Sequence, residues 1–79
     1  MKTKSSVPTV YNIAKLSLFI IKHYSESWSM DLAILANLIA KSSSFKYTRD
    51  DTLNVIKELD NHMQGFYAFK IIGETIYVY

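Results

Sequence analysis

Cysteine is absent from the 79 residues, so neither a disulfide nor a thiolate-bound metal can brace the fold. That absence fits a reducing compartment, and an intracellular, cytoplasmic location is the expectation. Glycine occurs only as Gly65 and Gly73, too few for a glycine-rich loop that cradles phosphate. The one proline, Pro8, precedes the first helical pattern, and none of the three helical patterns described below is interrupted by proline or glycine. Long apolar runs are missing too. The strongest, Leu16 to Ile21, includes Ser17 and stops at Lys22. A membrane span needs about 20 apolar residues, so no membrane association is expected. No small-residue cleavage site follows the run, and no signal peptide is expected.

Acid is also missing from the front of the chain. Residues 1–25 carry Lys2, Lys4, Lys15 and Lys22 and no carboxylate, for a charge of +4. Residues 26–63 reverse this to −2, and residues 64–79 balance Lys70 against Glu74. The net +2 is too small to name a partner, but basic charge gathers at the start and around Lys41–Arg49. A hydrophobic content of 49% is ample for a folded core. The length allows one domain, burying only about 60–65% of its unfolded surface.

Residues 1–8 read as a flexible arm, and 9–79 as one domain. Thr9 is placed to cap a helix from Val10 to Tyr24. Val10, Ile13, Ser17, Ile20, Ile21 and Tyr24 share its inner face. Tyr11, Leu18 and Phe19 flank its polar stripe and are surplus to a small core. A second helix is expected from Met30 to Lys41, with Ser29 as its cap. It is apolar nearly all round, which implies burial on several sides. Ile34 and Leu38 join the surplus, and the five together predict a homodimer interface centred on the first helix. Thr48 and Asp51 form a capping-box-like start to a third helix, which runs to Gln64 with Gly65 as its C-cap. The period then changes to two. A two-residue turn with glycine first, at Gly73-Glu74, pairs Ile72 with Thr75, Ile71 with Ile76, Lys70 with Tyr77 and Phe69 with Val78. Phe69, Ile71, Ile76 and Val78 then face the helices. The expected fold class is mainly α: three helices and a C-terminal two-stranded hairpin.

This order of elements resembles the winged helix-turn-helix family over residues 9–79. The stretch Asp31-Leu32-Ala33…Leu35-Ala36 is similar to the family's second helix. Thr52-Leu53…Ile56…Glu58-Leu59 is similar to its third, and the hairpin after Gly65 stands where the wing follows. The resemblance implies a DNA-binding transcriptional regulator, with double-stranded DNA as partner and the third helix reading bases. Carried over by position, the outward face of that helix holds Asp50, Asp51, Asn54, Lys57, Glu58 and Asn61. Asn54 and Asn61 would pair with adenine edges and Lys57 with guanine or phosphate, while Lys70 on the wing completes the set. The sequence departs from the family in two ways. The second and third helices are joined by about seven residues instead of three or four, and the wing tip is Gly73-Glu74, without a cation.

The residues themselves point to a grip ahead of the third helix. Lys41, Ser43, Ser44, Lys46, Tyr47, Thr48 and Arg49 combine cations, hydroxyls and a helix N-terminus, the groups that hold phosphates. An ordinary solvated loop accounts for the same residues. The acidic outward face of the third helix motivates the alternative of a protein–protein interaction module on the same scaffold. Chemistry finds little footing. His23 and His62 have no nucleophile and acid arranged around them, so an enzyme is not expected. Glu58 and His62 stand four apart, but two ligands make no metal site, and no cofactor is expected. Asp50 and Asp51 suit the dipole of the helix they open.

Overall fold

The computed structural model describes residues 8–42 and 47–79. The arm over 1–7 and the loop residues Ser43, Ser44, Phe45 and Lys46 lie outside the described residues. Three helices pack together beside a four-stranded antiparallel sheet.

Helix α1 spans Val10–Tyr24, the range the sequence predicts. Thr9 sits in extended backbone, and its hydroxyl accepts from the amide of Asn12 at 3.2 Å. Ile13, Ala14, Ser17, Ile20 and Ile21 form the buried face. Tyr24 does not share it: the helix ends there, and the ring stays exposed with its edge against His23.

The second helix begins later than expected. Ser29–Asp31 form strand β1, and α2 runs Leu32–Ser42. Ser29 is therefore no helix cap. Its hydroxyl lies 2.9 Å from that of Ser27, and its backbone pairs with the last strand. Asp31 takes the capping role, Oδ2 accepting from Ala33 at 3.0 Å and Ile34 at 3.4 Å. Leu32, Leu35, Ala36 and Ile39 bury one stripe. Ile34 is 53% exposed, so the helix is not enclosed all round.

Helix α3, Arg49–Ile56, opens as the sequence predicts, with the Thr48 hydroxyl accepting from the Asp51 amide at 3.1 Å. It does not reach Gln64. A 3-10 turn over Lys57–Leu59 follows, and Asn61 adopts a left-handed φ of 68°. Asparagine tolerates that conformation better than most residues. The next residues are then stitched to the sheet. Asn61 donates its amide to Phe69, Phe69 donates to His62, and Ile71 donates to Asp60 Oδ1 at 2.8 Å. These bonds satisfy part of a strand edge that a longer helix would leave bare.

Strands β2 (Met63–Gln64), β3 (Tyr67–Ile72) and β4 (Thr75–Val78) form a meander, and the sheet order is β1-β4-β3-β2. Gly65 is thus a turn residue and no helix C-cap. Gly65 and Gly73 each open a two-residue turn, at φ +65° and +63°. The β3–β4 register matches the sequence expectation pair for pair. Phe69, Ile76 and Val78 are buried, and Ile71 packs at the edge of the core. The expected two-stranded hairpin is thus part of a four-stranded sheet, because β1 and β2 add one strand on each side.

Candidate interaction surfaces

Three surfaces carry the residues to which the sequence points. The first is the outer side of α3 and the segment before it. Asp50, Asp51 and Asn54 are exposed on α3, and Lys57 and Glu58 on the turn after it. Arg49 lies 3.7 Å from Asp50, an exposed pair of little energetic weight. Arg49 and Lys57 are set against three carboxylates here, so the face is mildly acidic. Asn61 is not part of it, because the helix has ended and the residue sits in the bend before β2. Lys41 is exposed in the last turn of α2. Ser43, Ser44 and Lys46 fall outside the described residues.

Tyr47 is not available to a phosphate, contrary to the sequence expectation. It is 4% exposed, and its hydroxyl accepts from Asn12 Nδ2 at 3.3 Å. The ring belongs to the core and ties the segment before α3 to α1. Thr48 stays exposed, with its hydroxyl already capping the helix.

The second surface is the hairpin tip. The Glu74 carbonyl accepts from the Leu32 amide at 2.9 Å, fixing the tip to the start of α2. A pocket of about 280 Å³ is lined by Gly73 and Glu74 of the tip together with Leu32, Ala33, Leu53 and Lys57. Lys70 is half-buried and stands 3.6 Å from Asp60, so its charge is partly answered within the chain.

The third surface is the outer side of α1. Tyr11 and Phe19 are exposed there, by 59% and 67%, whereas Leu18 and Leu38 are half-buried against the core. An open groove of about 500 Å³ runs beside α1 and takes in Gln64 of β2. Lys22 is held at its edge. Its ammonium donates to the Tyr67 hydroxyl at 2.8 Å and lies 4.1 Å from the Tyr67 ring centre and 4.9 Å from that of Trp28. Trp28 itself has a left-handed φ of 57°, uncommon for so bulky a residue, and its carbonyl accepts from Val78. Sequence reading marks Tyr11, Leu18 and Phe19 as surplus. It does not bring Lys22, Trp28 and Tyr67 together, because the hairpin that carries Tyr67 depends on the early end of α3.

Among the described residues no cluster of histidine and carboxylate is built to hold a metal ion, and no helix is long and apolar enough to cross a membrane. No protein-family model matches the chain, and neither a curated protein nor a solved structure gives a match.

Proposed function

We propose that the chain is a winged-helix domain that binds double-stranded DNA, with α3 as the recognition helix and the β3–β4 hairpin as a short wing. The observation that carries this reading is the start of α3. A capped helix N-terminus lies beside exposed Arg49, Lys41 is exposed at the end of the preceding helix, and the outer face that starts there carries exposed Asn54, with exposed Lys57 on the turn after it. The three carboxylates of the face oppose a polyanion, so the complex is weak and falls steeply with salt. Grip comes from the N-terminal end of α3 and the loop before it, and discrimination from Asn54 and Lys57.

A mobility shift at low salt against a random-sequence duplex pool tests the reading. The full chain is expected to shift the pool at micromolar concentration, and Arg49→Ala and Lys57→Ala each to weaken the shift. No shift by the full chain, or no effect of either substitution, would refute it.

One observation favours a second reading, a protein–protein module on the same scaffold. The tip of the hairpin is drawn onto the start of α2 by the Glu74–Leu32 hydrogen bond, and it carries an acid, so it offers a phosphate no cation.

A further inference from the structure

Lys15, Phe19 and Lys22 follow one another at i, i+4 and i+7, and so share one side of α1. Phe19 is 67% exposed. The groove beside it is lined by Lys15, Leu18, Phe19, Lys22, His23 and Gln64. Two of the six are lysines and none is a carboxylate. No ion pair among the described residues engages either lysine. Lys22 is nevertheless fixed in place by Tyr67 and Trp28, and Lys15 lies 5.1 Å from the Tyr11 ring centre. The surface is therefore an apolar floor framed by positioned cations.

Its chemistry selects among occupants. A second copy related by a two-fold axis places the same patch on itself, so lysines would meet lysines. A phosphate backbone answers the lysines but leaves Leu18 and Phe19 uncovered. An amphipathic helix with carboxylates flanking an apolar stripe answers both. We propose that this groove docks an acidic amphipathic helical segment of a protein partner, an apolar side chain seated on Phe19 and Leu18 and carboxylates paired with Lys15 and Lys22. The groove shares no residue with the outer side of α3, so the inference stands whether or not α3 binds DNA.

Fluorescence anisotropy with the full chain tests it. The probe is a labelled amphipathic peptide of about 18 residues, five helical turns, with Leu and Phe on one stripe and Glu on both flanks. A counterpart carries Lys in place of each Glu. The acidic peptide is expected to bind saturably at micromolar concentration, and the basic one not to bind. Phe19→Ala should weaken binding about tenfold with the circular dichroism spectrum unchanged, as for an exposed anchor residue. Lys15→Glu, which leaves one lysine against one carboxylate in the groove, should abolish the preference between the peptides. Arg49→Ala and Lys57→Ala should leave peptide binding intact, which separates this outcome from that of the DNA reading. Absence of saturable binding, or equal binding of both peptides, would overturn the proposal. So would Phe19-dependent self-association in sedimentation equilibrium, which assigns the face to a second copy. Equal sensitivity of a thymidine oligonucleotide to Phe19→Ala and Lys15→Glu would assign it to nucleic acid instead.

Discussion

The ammonium of Lys22 on α1 donates to the hydroxyl of Tyr67 on β3 at 2.8 Å, joining residues 45 apart in the chain. With Trp28 beside them, this contact clasps the first helix to the sheet. An exposed cation–π contact contributes about 0.5–1 kcal/mol. A double-mutant cycle of Lys22→Met and Tyr67→Leu, which removes both the ring and the hydroxyl, read by urea unfolding with Trp28 fluorescence, should give a coupling of about 0.5–1 kcal/mol. Additive effects would show that the contact adds nothing to the fold.

The end of α3 makes a second prediction. Asn61 holds a left-handed backbone that lets residues 60–62 bond to β3. Asn61→Gly should be nearly neutral or mildly stabilising, and Asn61→Ala should cost about 1 kcal/mol. Gly73→Ala, at φ +63° with open space around an added methyl, should lose about 1–2 kcal/mol from backbone conformation alone. Thermal unfolding of the three variants checks the order.

Ser17 provides a third. Its hydroxyl is fully buried in α1 and has no hydrogen-bond partner among the described residues. Removing an unsatisfied buried polar atom relieves a desolvation penalty of about 1–3 kcal/mol. Ser17→Ala should therefore raise the melting temperature, whereas a fall would show that the hydroxyl has a partner.

The cap of α2 is a fourth test, because the sequence and the structure disagree on it. Asp31→Ala should destabilise by about 1 kcal/mol, the usual weight of an N-cap, and Ser29→Ala by clearly less. The reverse order would restore the earlier start at Met30.

Much of this fold is legible in the sequence wherever a local rule has no competitor. Thr9 and the 3.6-residue period fix α1, and Gly73 with the two-residue alternation fixes the β3–β4 register. Failures occur where a distant strand outbids a local signal. Ser29-Met30-Asp31 suits a helix start, but β4 presents a free edge, and pairing with it moves the cap to Asp31. Leu59, Asp60 and Met63 keep a helical period, but the edge of β3 takes up residues 60–64. The candidate surfaces divide in the same way. Asn54 and Lys57 stand exposed as the period implies. Tyr47 is buried because its place depends on the packing of α1, and the groove beside α1 needs the hairpin turned at Gly65. Leu18 and Phe19, which the sequence marks as surplus and assigns to a dimer interface, line that groove.

The acidic character of the α3 face gives a fifth prediction. If α3 meets DNA, Asp50→Asn with Asp51→Asn should raise affinity for duplex DNA several-fold at low salt, since two repulsive charges leave the interface. An unchanged affinity would place those carboxylates away from the phosphates.

The most direct test of DNA binding through α3 is a map of amide chemical-shift changes on adding duplex DNA to the isotopically labelled protein. Changes concentrated over residues 41–58 are expected, with α1 from Lys15 to His23 unmoved. Changes confined to α1 and the β2–β3 turn, or no changes at millimolar DNA, would contradict binding through α3.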